Sequence, residues 1–305
     1  MCPVRPGGIY SAQWIPTDAT GRIDRASLAA HIEFERRAGI DGVLALGSTG
    51  EFPHLSADER KAALEIVAEL AAPLPVLANV SHVSPRTAIE LGRHARSLGV
   101  AAVALMPPAF YPVSQADVLA YFLHVADAVA LPVMLYNFPE LAGKRIELDT
   151  VAAFAERAPM VAIKQSGGQF DYHRDLIALG REKGFVVMSG ADVRLTVAFA
   201  VGAAGCIGGL VNVVPEPMVH IDRVCRRGGP GDADAAAETM RELGRILDQL
   251  TFPLNVTAGI EARGFSPGTP KSVVSPESRL LHEKIVTETR ALLERHGLPF
   301  AAAAT

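Results

Sequence analysis

Lys164 closes a short apolar run, Met160-Val161-Ala162-Ile163, and is followed at once by Gln165-Ser166-Gly167-Gly168. A lysine is seldom taken out of water without a partner. Desolvation disfavours an ammonium relative to the free amine, and a free amine attacks a ketone to form a Schiff base. The competing reading is a stem that lies along apolar surface and keeps its charge in water. Tyr136 ends a second apolar run, in Tyr136-Asn137-Phe138-Pro139. A phenol at that place can carry a proton, or it can be a core tyrosine. Gly47-Ser48-Thr49-Gly50-Glu51 closes a third run. Its two hydroxyls and free backbone N–H groups, flanked by Gly47 and Gly50, form a nest the size of a carboxylate, unless the turn merely leads into a helix. Ser189-Gly190-Ala191-Asp192 and Ile207-Gly208-Gly209 close two more runs, and their glycines leave room for a ligand. These residue types suggest one chemistry. The nest holds the carboxylate of a 2-keto acid, and Lys164 attacks the ketone and expels water. The resulting cationic nitrogen draws electrons from the neighbouring carbon, while Tyr136 and a nest hydroxyl move protons.

Such groups meet only if the ends of their runs share one face. Eight runs are predicted as strands, over residues 8–14, 42–46, 75–79, 101–106, 132–136, 160–164, 185–188 and 205–207. Amphipathic stretches such as 56–70, 85–98 and 114–128 separate them and predict helices. Ser56 with Glu59 makes a capping box. Ser84-Pro85 puts a cap before a proline at the first helical position. Gly39, Gly99, Gly180 and Gly184 read as helix stops. Eight β-α units predict an α/β fold, a (β/α)8 TIM barrel whose chemistry sits at the C-terminal strand ends. A doubly wound sheet would carry a glycine-rich phosphate turn after its first strand. Here that strand runs into Ile15-Pro16-Thr17-Asp18 instead. Residues 1–214 are therefore read as the barrel. Residues 215–305 are read as a C-terminal helical extension packed on it, with helical patterns at 238–250 and 276–295 and a Gly-Gly-Pro-Gly turn at 228–231. The tail at 301–305 is expected to fray.

Composition removes several classes. With 49% hydrophobic and 20% charged residues, the 305-residue chain can bury a large core. Net charge is -4 and no basic stripe occurs, so nucleic acid is not an expected partner. No apolar run is long enough for a bilayer, and the first residues lack the apolar core of a signal peptide. Cys2, Cys206 and Cys225 are too scattered for a metal site or a disulfide framework. The expected location is the cytoplasm. His31, His94, His124 and His173 read as solvated faces. His54 and His82 follow strand ends and could touch a ligand, but no carboxylate-histidine spacing accompanies them.

The motifs Gly42-Val43-Leu44-Ala45-Leu46-Gly47-Ser48-Thr49-Gly50-Glu51 and Tyr136-Asn137-Phe138-Pro139, with the 28-residue step from Tyr136 to Lys164, resemble the dihydrodipicolinate synthase / N-acetylneuraminate lyase family of class I pyruvate-dependent lyases. Pro107-Pro108 through Tyr111-Pro112 and Ser189-Gly190 fit the same pattern, and the resemblance runs from about residue 8 to residue 300. It implies a (β/α)8 barrel, a pyruvate Schiff base on Lys164, Tyr136 as acid and base, and Ser48 and Thr49 as carboxylate ligands and proton relays. It implies no metal or other cofactor, a keto acid and an aldehyde as small-molecule partners, and a homotetramer.

Three positions depart from the family's pattern. Leu141 stands where the synthases carry an arginine that grips the carboxylate of aspartate semialdehyde, and leucine supplies no bidentate cation. Arg145 and Lys144 lie near it in sequence. Gly208-Gly209-Leu210 lacks the serine that N-acetylneuraminate lyases place after the glycine pair. Phe110 replaces a tyrosine that reaches across a subunit interface into the proton relay, so Tyr111 could serve only if its loop turns inward. The expected activity is therefore reversible aldol cleavage, or a related dehydration, of a 2-keto-3-deoxy sugar acid-like substrate. Glu140, Leu141, Phe110, Tyr111, Gly190, Asp192, Ile207, Gly208 and Gly209 would shape the outer pocket. The alternatives are dihydrodipicolinate synthesis and a non-catalytic barrel that binds a keto acid.

Overall fold

Apolar runs of four to six residues pair side by side in a computed structural model that describes residues 5–298 and 300. The strands are β1 (Gly8–Ala12), β2 (Gly42–Ala45), β3 (Val76–Asn79), β4 (Ala102–Leu105), β5 (Val133–Asn137), β6 (Met160–Gln165), β7 (Val186–Ser189) and β8 (Gly205–Gly208). They follow sequence order around a closed barrel, and β8 pairs in parallel with β1. This is the (β/α)8 barrel expected. Nearly every strand residue is buried, because one face fills the barrel and the other packs on helices. Tyr10, Leu44, Leu77, Met134, Met188 and Ile207 are among the residues that fill the interior.

The helices are α1 (Arg25–Ala38), α2 (Ala57–Ala71), α3 (Pro85–Ser97), α4 (Gln115–Val129), α5 (Pro139–Ala142), α6 (Leu148–Ala155), α7 (Phe170–Lys183), α8 (Leu195–Ala200), α9 (Pro215–Cys225), α10 (Asp234–Leu247), α11 (Leu254–Ala262) and α12 (Pro276–Arg295). Their ends follow local chemistry. Ser56 and Glu59 form the complete capping box at the start of α2. Gly39 and Gly184 close α1 and α7 in the left-handed conformation, at φ 93° and 85°. Gly180 does not stop a helix but lies inside α7. A Cβ there would come within 2.6 Å of the Phe185 carbonyl oxygen, so close packing of helix against strand explains the glycine. None of the helices described is long and apolar enough to cross a membrane. Cys206 and Cys225 are free thiols, one buried and one exposed. Cys2 and the 301–305 tail lie outside the described residues.

Two histidines read as solvated are buried. His31 points from α1 into the core, where its ring nitrogens meet the Asn212 carbonyl oxygen at 2.9 Å and the Gln13 amide at 3.2 Å. His173 stacks on Phe170 and shares a 3.3 Å hydrogen bond with Ser189. A helix of a barrel turns one face to the sheet, and these histidines sit on that face with polar partners that make burial tolerable.

Candidate active site

The register between β5 and β6 brings the candidate side chains Tyr136 and Lys164 together. Val133 pairs with Met160, but Met134 pairs with Ala162, so β6 takes up one extra residue at Val161. Without that shift Tyr136 would oppose Ile163, whose side chain packs on the outer face. With it, Tyr136 opposes Lys164 and both point inward, since a one-residue slip exchanges the faces of a strand. Lys164 is 4% exposed, and its Nζ donates to Tyr136 Oη at 3.1 Å. Nζ also lies 4.3 Å from the Tyr136 ring centroid. On its other side, Tyr136 Oη shares a 3.3 Å hydrogen bond with Ser48 Oγ. An unbroken chain of polar atoms thus runs from amine to phenol to hydroxyl.

The nest that carries Ser48 is held from several directions. Leu46 is in the left-handed region at φ 59°, and the Asn79 amide donates to its carbonyl at 2.7 Å. A Cβ on Gly50 would sit 2.9 Å from the Gln13 carbonyl oxygen, so the turn presses on the end of β1. Thr49 is buried, and a Cβ on Gly209 would lie 3.3 Å from Thr49 Oγ1. The hydroxyl of Thr49 therefore faces the end of β8. Gly190 allows another close approach, for a Cβ there would meet Ser166 Oγ at 2.4 Å.

Asp192, half-buried, turns its carboxylate toward the end of β8. Its carboxylate accepts the Leu210 N–H at 2.8 Å and lies over Gly208, where a Cβ would meet Oδ1 at 2.6 Å. Burial raises its pKa, opposed by the Leu210 hydrogen bond and the Lys164 charge. Ile207 belongs to the barrel interior. Glu140, on α5, is exposed beside the Gly167 turn, where a Cβ would meet its Oε1 at 2.6 Å. Leu141 is 50% exposed and lines a cavity of about 300 Å³ with Ser48, His54, His82, Val83 and Phe252. His54 and His82 thus reach the mouth, as their positions after strand ends suggested. Phe110 and Tyr111 stack edge to face, exposed at 88% and 67%. Their loop is not turned into the barrel of this chain. Arg145 pairs with Glu147 at 2.8 Å and stacks on Tyr172, so it does not take the place of an arginine at residue 141. Among the described residues, no group of three or more His, Cys, Asp and Glu side chains is gathered as a metal site.

Several residues outside the sequence-read site support it. Asn137 donates to Gln165 at 2.6 Å and accepts from the Ile146 N–H, which fixes the segment after β5. Asn212 accepts from Trp14 N–H and donates to the carbonyls of Ala12 and Gly209, tying β1 to β8. Glu51 and Lys271 form a buried pair at 3.1 Å. Asn137 and Glu51 could be sought from sequence, through their places beside Tyr136 and at the end of the Gly47–Gly50 turn, whereas Asn212 and Lys271 could not.

The model of the dihydrodipicolinate synthetase family matches residues 5–289. A putative 2-dehydro-3-deoxy-D-gluconate aldolase of Escherichia coli, YagE, is 32% identical over 91% of this chain and 92% of its own. A 4-hydroxy-tetrahydrodipicolinate synthase of Natronomonas pharaonis is 31% identical over 94% of this chain and 98% of its own. The crystal structure of YagE in complex with pyruvate superposes with a TM-score of 0.87 at 30% identity, covering 96% of this chain and 99% of that one.

Proposed function

The chain belongs to the dihydrodipicolinate synthetase family, and from that premise we propose that it is a class I lyase that joins Lys164 to pyruvate or a related 2-keto acid. The observation that carries this reading is the run of contacts from Lys164 Nζ through Tyr136 Oη to Ser48 Oγ, at 3.1 and 3.3 Å. The lone pair of Nζ adds to C2 of the keto acid. Protons passed through Tyr136 and Ser48 let the C2 oxygen leave as water, and a protonated imine remains. In the cleavage direction the C3–C4 bond then breaks. Its electron pair moves toward the imine to give an enamine, the C4 hydroxyl proton passes to Tyr136, and an aldehyde departs. C3 takes a proton back, and water hydrolyses the imine to free pyruvate and the amine.

Gly47 and Gly50 amides with the Ser48 and Thr49 hydroxyls hold the carboxylate in this scheme. Gly190, Gly208 and Gly209 keep the floor open, and Glu140 and Leu141 face the tail, while Phe110 and Tyr111 lie outside the barrel of this chain. The substrate is of the 2-keto-3-deoxy sugar acid type. Leu141 in place of a cation and the similarity to a putative 2-dehydro-3-deoxy-D-gluconate aldolase support that choice. Dihydrodipicolinate synthesis is the second reading, supported by the similarity to the archaeal synthase. Leu141 and the commitment of Arg145 to Glu147 weigh against it. Pyruvate release from 2-keto-3-deoxygluconate, set beside condensation of pyruvate with aspartate semialdehyde, separates the two. Release without condensation supports the aldolase, and condensation alone refutes it. The family resemblance further supports a homotetramer working in the cytoplasm, which sizing of the purified protein tests in its first part.

A further inference from the structure

Lys271 lies 220 residues from Glu51 in sequence, on the coil between α11 and α12. Its side chain is 5% exposed and that of Glu51 7%. Nζ donates to the Ile15 carbonyl at 2.7 Å and to Glu51 Oε2 at 3.1 Å, and it lies 4.2 Å from the Trp14 ring centroid. A buried ammonium needs such an enclosure, because its hydration is lost and must be replaced. Burial pulls the Lys271 pKa down, and Glu51 opposes it.

The coil itself is fastened. Trp14 Nε1 donates to the Pro267 carbonyl at 2.9 Å, and the Thr269 N–H donates to the Thr17 carbonyl at 2.7 Å. Gly268 is in the left-handed region at φ 76°, and a Cβ there would meet Thr17 N at 2.8 Å. Lys271 therefore projects from a fixed base. Glu51 is the next residue after the Gly47–Gly50 turn and holds the left-handed conformation at φ 56°. Its other oxygen meets His54 Nδ1 at 3.2 Å. The pair thus bears directly on the segment that carries Ser48 and Thr49, although neither Lys271 nor Glu51 reaches Lys164.

We propose that Lys271 is a positioning residue that, through Glu51 and the Ile15 carbonyl, fixes the Gly47–Gly50 turn in the form that binds the carboxylate of the 2-keto acid. The inference rests on the Schiff-base reading above and extends it to the segment between α11 and α12. A misplaced binding group weakens catalysis without any loss of the reacting residues.

The test is adduct formation with pyruvate under borohydride, followed by intact mass across a range of pyruvate concentrations, for the parent, Lys271→Met and Glu51→Gln. Thermal unfolding of each variant is recorded alongside. The expected result is a half-saturating pyruvate concentration raised about tenfold or more in both variants. At saturation the labelled fraction should return to the parental level, because Lys164 and Tyr136 are intact. Lys271→Arg, which keeps a cation, should recover part of the loss. Folded variants that saturate at the parental concentration would overturn the proposal, even if they melt earlier, since that is a structural role only. Should Lys271→Met fail to fold, Glu51→Gln decides by the same criterion. A parent that traps no pyruvate would instead refute the underlying reading, which keeps the two failures apart.

Discussion

Tyr136 and Lys164 face each other across β5 and β6 only because β6 takes up an extra residue at Val161. Their polar atoms then stand 3.1 Å apart inside the barrel. Tyr136→Phe keeps the ring and its packing but removes the only hydroxyl between the amine and Ser48. We expect the rate of pyruvate adduct formation to fall by about 10²- to 10⁴-fold, the usual worth of a positioned acid or base. Thermal stability should hardly change. Quenched-flow trapping with borohydride measures the rate, and a parental rate would remove Tyr136 from the proton path.

Leu141 is half in solvent at the cavity mouth, so a longer side chain fits there. Leu141→Arg should raise kcat/KM for an aldehyde that bears a carboxylate by about tenfold or more, the order of a charge-assisted pair. The pyruvate half-saturation should stay as it was. Steady-state kinetics with aspartate semialdehyde checks this, and no gain would mean that the tail does not pass residue 141.

Glu140 is exposed beside the Gly167 turn, and in the proposed reading its carboxylate disfavours anionic aldehydes at the mouth. Glu140→Gln should improve turnover of anionic aldehydes by about twofold to fivefold at low salt, and less at high salt, because such charges are screened. Equal rates for both proteins at low salt would contradict this.

Glu35 is fully buried in α1 with one oxygen accepting Ser11 Oγ at 2.6 Å and the other unpartnered. Burial pushes its pKa up to about 8. Unfolded glutamate ionises near its ordinary value, so the folded state binds more protons as pH rises from there to about 8. The contribution of Glu35 to stability must fall across that window, because the state that binds more protons is disfavoured as protons are withdrawn. Glu35→Gln cannot ionise and should escape the fall. Its advantage over the parent should be absent near pH 4 and reach on the order of a few kcal/mol by pH 8. His31 works in the opposite sense at lower pH. Its pKa is lowered to about 4 by burial, so its contribution to stability rises with pH from there toward the ordinary histidine value. Urea unfolding from pH 4 to 9 tests the Glu35 slope, and parallel curves for parent and variant would refute it.

How far the sequence discloses the molecule depends on how local the cause is. The capping box at Ser56 and Glu59 spans one turn, and the periodicity over 276–295 is local as well, so both are legible in the sequence and both are present. Lys164 and Tyr136 stand out because a polar group ending an apolar run is visible without knowing what lies opposite. The bulge at Val161 is not visible, since it depends on how the neighbouring strand registers. His31 and His173 read as solvated in the sequence because an amphipathic pattern does not say which polar residue finds a partner inside. Their partners, Asn212 and Ser189, lie 181 and 16 residues away. Lys271 was invisible for the same reason, as its partner Glu51 belongs to the opposite end of the chain.

The most direct measurement is intact mass after incubation with pyruvate and borohydride, with the modified peptide sequenced. The account predicts one reduced pyruvate adduct per chain, on Lys164, and none in Lys164→Ala. Folded protein that gains no mass, or an adduct mapped to a lysine other than Lys164, would contradict it.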